Sequence, residues 1–108
     1  MKIDIICHQR TFLIDFQKGS LRIRVRFLSG HLLEVNEAIV IVKDQLKHLG
    51  YRYHFQDQEN NLIFRYDNTP HFPELKSFPH HKHLINKVED SDAPLILNVI
   101  TEAKLLAQ

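Results

Sequence analysis

Residues 64–83 carry His71, His80, His81 and His83 among Pro70, Pro73 and Pro79, with Lys82 inside the final run. Imidazole titrates near neutral pH, so a neutral and a protonated histidine together can take a proton from a nucleophile and return one to a leaving group. Arg65, Arg52 and Lys82 are the cations that would hold a phosphate, arginine being suited to a bidentate grip. That is the equipment for metal-independent cleavage of RNA through its own 2′-hydroxyl. The candidate catalytic residues are therefore His71, His80, His81, His83, Arg65 and His54. The candidate binding residues are Arg24, Arg26, Arg52, Lys82, Tyr66, Asp67 and Asn68.

Competing readings of the same residues are structural or metal-based. Pro70, Pro73 and Pro79 would fix the path of a loop, Phe72, Leu75 and Phe78 would anchor it, and the histidines would bond backbone carbonyls. Asp67 and Asn68 would bond turn amides ahead of Pro70. No His or Cys pair has a recognised ligand spacing and no carboxylate stands in sequence to complete a site, so neither a metal nor another cofactor is expected.

The elements that must position these groups are mostly strands. Residues 21–27 alternate, with Leu21, Ile23, Val25 and Phe27 opposed to Arg22, Arg24 and Arg26. Matching apolar faces across Gly30 predicts Phe27 opposite Leu33 and Val25 opposite Val35, with an odd-numbered loop and Gly30 left-handed. Residues 37–50 have helical spacing at Ile39, Val42, Leu46 and Leu49, but four consecutive β-branched residues from Ile39 favour strand, a turn at Lys43-Asp44-Gln45, and strand again. Residues 46–56 and 62–67 continue the meander and place Arg65 and Asp67 opposite His54 and Arg52. Two polar rows result: Arg26, Glu34, His54, Arg65, and Arg24, Asn36, Arg52, Asp67. Such rows are also what a solvated face laced with weak ion pairs would show.

Residues 2–16 read as one or two short strands, with a helix over residues 10–16 as the alternative. Residues 68–83, too rich in proline for a helix or interior strand, are expected as a long ordered surface loop. At the C-terminal end Ser91 or Asp92 can cap a helix with Pro94 in its first turn, and Leu95, Ile96, Val99, Ile100, Ala103 and Leu106 form its apolar stripe. Tyr53, Phe55, Phe64 and Tyr66 are then core residues rather than a base-stacking platform.

The chain has 108 residues, 44% hydrophobic and 25% charged, which is one ordinary globular domain spanning residues 1–108. No apolar run is of membrane-spanning length, and a signal-peptide pattern is not expected. The lone Cys7 suits a reducing cytosol. A net charge of +1 gives no global attraction for nucleic acid, so any such argument rests on arginine placement.

The run Tyr51-Arg52-Tyr53-His54-Phe55-Gln56-Asp57, then Leu62-Ile63-Phe64-Arg65-Tyr66-Asp67-Asn68-Thr69-Pro70-His71, then Phe78-Pro79-His80-His81-Lys82-His83, resembles the TumE family, toxin components of bacterial and archaeal toxin-antitoxin modules. The resemblance extends from about Gly19 to Glu102. It implies a small cytoplasmic protein encoded beside an antitoxin, often a DNA-binding one, and neutralised by direct contact. Tyr53, His54, Phe64, Arg65, Tyr66, Asp67, Asn68, His71, Pro79, His80, His81 and His83 match the family pattern. Phe72 departs from it, standing where the commoner pattern has a second histidine.

The expectation is an α+β domain: a curved antiparallel β-meander with the C-terminal helix on its aromatic face and the Pro/His-rich loop near its polar face. Its expected function is a type II toxin that acts on RNA as a metal-independent ribonuclease. A non-catalytic protein that inhibits through its His-rich loop, or a metal-dependent phosphoesterase, are the alternatives. Expected partners are the cognate antitoxin, RNA and a second copy of the chain in a homodimer, with no membrane.

Overall fold

The computed structural model describes the backbone of residues 2–7 and 10–17, and residues 19–108 with their side chains. Eight strands form one antiparallel sheet in chain order: β1 Lys2–Cys7, β2 Arg10–Gln17, β3 Ser20–Phe27, β4 Leu32–Val42, β5 Gln45–Gln56, β6 Leu62–Asp67, β7 His81–Leu84 and β8 Lys87–Asp90. A single helix, α1 Ile96–Leu106, follows. The sheet is an open meander, and the fold is α+β as expected. Residues 10–16 lie in strand β2, not in a helix.

Period-two alternation decides the faces. Val25, Phe27, Leu33, Val35, Tyr53, Phe55 and Phe64 point to one side and are buried there with Val99, Ala103 and Ala107. Tyr53 and the two phenylalanines are therefore core, while Tyr66 packs against it. Helix α1 is held over this face by more than apolar contact. Tyr66 Oη donates to Glu102 Oε1 at 2.7 Å, and Lys82 Nζ reaches Glu102 Oε2 at 2.8 Å. The helix starts later than the sequence indicated: Leu95 is its N-cap without a side-chain bond, and Ser91 Oγ donates instead to the Asp92 carbonyl. Leu95 and Leu106, expected in the buried stripe, are exposed, and Ala107 takes the position under the last turn.

The β3/β4 register differs from the expected one by two residues. Val25 faces Leu33, Arg24 faces Glu34 and Arg22 faces Asn36. A two-residue slip leaves every side chain on its face, so hydrophobic matching could not distinguish the registers. The turn decides: Phe27 N–H donates to the His31 carbonyl at 2.9 Å, and Gly30 is left-handed (φ 93°) in the short connection. The β4/β5 turn is tighter than expected, with Lys43 and Asp44 both at positive φ and Gln45 already paired with Val42. This is the two-residue hairpin geometry that matches strand twist.

The largest departure concerns the long loop. It spans only residues 68–80, because His81-Lys82-His83 is part of strand β7. The signal was present: His81 and His83 alternate with Lys82 and Leu84. Strand β8 then closes a hairpin that pairs His81 with Asp90. Among the described residues no helix is long and apolar enough to cross a membrane.

Candidate functional site

Strand pairing sets two rows across the polar face. One runs Arg24, Glu34, His54, Arg65, His83; the other runs Arg22, Asn36, Arg52, Asp67, His81. The expected pairs His54 with Arg65 and Arg52 with Asp67 are present. Arg26 lies outside both rows and donates to the Gly30 carbonyl at 3.1 Å. Four inter-strand steps of about 4.8 Å make each row about 19 Å long.

The rows end in a cluster. His81 Nε2 lies 2.9 Å from Asp67 Oδ1 and 3.0 Å from His83 Nε2, while His83 Nε2 lies 3.3 Å from Asp67 Oδ2. His81 is 1% exposed and Asp67 4%, whereas the His83 side chain is 25% exposed. Asp67 Oδ1 also accepts the Thr69 amide at 3.0 Å, so the turn role expected of this aspartate and its place in the cluster coexist. His81 Nδ1 faces the Pro79 carbonyl at 2.9 Å. A carbonyl can only accept, which puts a hydrogen on Nδ1 and turns the lone pair of neutral His81 toward Asp67 and His83. Phe72 closes the cluster from the loop side, edge-on to His81 (4.9 Å between centroids) and His83 (5.7 Å).

With both rings neutral, the space between these three side chains contains at most one hydrogen, on His83 Nε2. Thr69 already donates to Asp67 Oδ1, so that hydrogen is shared between Asp67 Oδ2 and His81 Nε2. Burial is the main cause that keeps His83 below the ordinary imidazole pKa; Asp67 opposes it, and the charges of His81 and Arg65 add to it. Arg65, directly across from His83, turns its Nε–H to His54 Nδ1 at 3.1 Å. His54 is likewise lowered, first by burial and then by Arg65.

Beside the cluster a depression of about 250 Å³ is lined by Arg22, Glu34, Asn36, Arg52, His54, Gln56 and Arg65. Glu34 is engaged by Arg22 at 3.0 Å and by Arg24 at 3.8 Å. Arg52 and Arg65 make no ion pair with a carboxylate among the described residues. Their charge is available to an anionic ligand.

Several expected site residues lie elsewhere. Lys82 alternates with the histidines and so points to the aromatic face, with Nζ 5.3 Å from the Phe64 ring centre and 4.8 Å from that of Tyr66. Burial opposes its charge, but the bonds to Glu102 and Tyr66 outweigh this and raise its pKa. Tyr66 shares that side, its hydroxyl raised chiefly by burial. His80 stacks on Tyr51, whose hydroxyl lies 2.9 Å from His80 Nδ1 and is raised to about 12 by burial and by Asp67. Asn68 accepts the Tyr51 amide at 3.0 Å, and the ring of exposed His71 lies edge-on to Phe72. The sequence reading missed Phe72 as a cover, Pro79 as the carbonyl that sets a tautomer, and Asp67 as the carboxylate that completes the cluster. Only the last had a signal, the β6/β7 alternation.

The aromatic face holds a second polar group that the sequence did not indicate. Tyr53 Oη donates to buried Glu37 Oε1 at 2.5 Å, and His48 Nδ1 lies 3.0 Å from Glu37 Oε2. Burial, then Glu37, pushes the Tyr53 hydroxyl upward.

Fold and site together define a small α+β protein whose sheet displays a buried carboxylate-histidine cluster at the end of an arginine-bearing track. The sequence model for Toxin TumE matches residues 7–105, and the chain belongs to that family of toxins, which implies a toxin-antitoxin system and an antitoxin partner. No curated protein and no solved structure matches it.

Proposed function

We propose that this toxin acts on RNA as a metal-independent ribonuclease in the cytoplasm, with Asp67, His81 and His83 as its proton-handling centre. The observation that supports this is the convergence of Asp67, His81 and His83, with contacts of 2.9, 3.0 and 3.3 Å, beside two guanidiniums that have no carboxylate partner among the described residues. Arg52 and Arg65 hold the scissile phosphate in the depression next to His83. His83, the exposed member of the pair, takes the proton of the 2′-hydroxyl at Nδ1 while its Nε2 hydrogen passes to His81 Nε2, opposite Asp67. The 2′-oxygen attacks phosphorus and the bond to the 5′-oxygen breaks. The stored proton then returns through His83 to the leaving 5′-oxygen, giving a 2′,3′-cyclic phosphate and a free 5′-hydroxyl. General acid-base transfer of this kind contributes about 10²- to 10⁴-fold to a rate, and fixed cations at the phosphate add to it.

The test is induction in cells without the antitoxin, followed by mapping of transcript ends, with His83→Gln alongside. Cyclic-phosphate ends that vanish in the folded variant are expected. Toxicity that persists in His83→Gln without cleaved transcripts would replace this reading with inhibition by binding.

A further inference from the structure

We propose that Asp67, His81 and His83 also bind one zinc ion, and that zinc in this place switches the proton-handling centre off. The donor set is two imidazole nitrogens and a carboxylate, brought together by the β6/β7 register that sets Asp67 against His81. Zinc bonds to such donors are about 2.0–2.2 Å, which gives separations between ligand atoms of about 2.9 Å at right angles and about 3.3 Å at the tetrahedral angle. The contacts here are 2.9, 3.0 and 3.3 Å. The carboxylate presents Oδ1 to His81 and Oδ2 to His83, as a chelating carboxylate does. All three residues have donor atoms within 4.8 Å of one another.

The surroundings are those of a metal site as well. The Pro79 carbonyl fixes His81 with its lone pair on Nε2, and the Thr69 amide holds Asp67 Oδ1, the outer contacts that orient ligands. Phe72 forms an apolar wall against both rings. With Asp67 chelating, two nitrogens and two oxygens supply four donor atoms, and a water or phosphate oxygen would be a fifth. Imidazole nitrogens favour zinc and its neighbours over magnesium and calcium, which prefer oxygen throughout. Arg65, opposite His83, and Arg52, opposite Asp67, are the cations that work against the ion. The switch rests on the ribonuclease reading: zinc claims the lone pairs of His81 and His83 and fills the place that the proton needs. The binding site itself does not depend on that reading.

The chain, stripped with EDTA and dialysed, is titrated with zinc by calorimetry and with cobalt(II) by visible absorption. One equivalent of each is expected, zinc displacing cobalt, with His71→Ala unchanged. His83→Gln and Asp67→Asn, checked for folding by circular dichroism, should each weaken zinc by more than the roughly 10- to 100-fold cost of losing an outer contact. No saturable binding, or equal binding by the folded variants, overturns the site. RNA cleavage is then followed in EDTA and with equimolar zinc. Cleavage in EDTA that zinc suppresses supports the switch, and cleavage that requires zinc overturns it. Cleavage in EDTA without zinc binding overturns the site and leaves the ribonuclease reading standing. Zinc binding without cleavage in either condition overturns that reading and leaves the site.

Discussion

Lys82 Nζ lies 2.8 Å from Glu102 Oε2, on the opposite side of strand β7 from the imidazoles of its neighbours His81 and His83. One strand thus serves two purposes. Its odd positions build the polar cluster, and of its even positions Lys82 clamps helix α1 while Leu84 packs against the core.

Lys82→Met should weaken that clamp and leave RNA cleavage per folded molecule unchanged. Both partners are partly exposed, at 16% and 32%, so the loss should be about 1–2 kcal/mol rather than the about 3–5 kcal/mol of a broken buried pair. Urea titration of the two proteins measures it. A cleavage rate that falls while the helix stays docked would show that Lys82 acts on substrate.

In the proposed mechanism, Asp67→Asn removes the charge that faces the proton held on His81. Cleavage should fall by about 10²- to 10⁴-fold, the usual worth of such proton transfer. His71→Ala, exposed and outside the cluster, should cleave normally. Both are read from the initial rate on a short RNA.

Phe72 covers two imidazoles without itself being fully buried. Phe72→Ala should cost about 1–2 kcal/mol, less than the about 3–5 kcal/mol of a core phenylalanine, and should speed modification of His83 by diethyl pyrocarbonate. Unchanged reactivity would mean that the ring does not shield the site.

His54 gives stability a pH dependence. Its folded pKa is below its unfolded value, chiefly through burial and Arg65. The unfolded chain therefore binds the proton first as pH falls. The contribution is complete above about pH 6.5 and is lost progressively as pH drops from there toward the folded pKa. Thermal melts across pH 5–8 should show the decline, and His54→Gln should make it shallower, the remainder coming from His83, whose pKa is lowered in the same direction.

The sequence alone determined which face of each central strand is apolar, because a period of two is written in residues such as Leu21, Ile23, Val25 and Phe27 against three arginines. It also determined that His54 meets Arg65 and that Arg52 meets Asp67, since a short polar turn joins β5 to β6 and leaves the register little freedom. It did not determine the β3/β4 register, where a slip of two preserves every facing, nor the start of α1, which has no capping side chain. Proximity in sequence also misled: His80 and Lys82 adjoin His81 and yet belong to the other side of the sheet. Only the tertiary structure decided that Asp67, His81 and His83 share one enclosed space under Phe72. That depends on pairing between strands separated by the 68–80 loop, of which the chain shows only the alternation of each strand and not their register, and on a Pro79 carbonyl orienting one ring, which has no local signature.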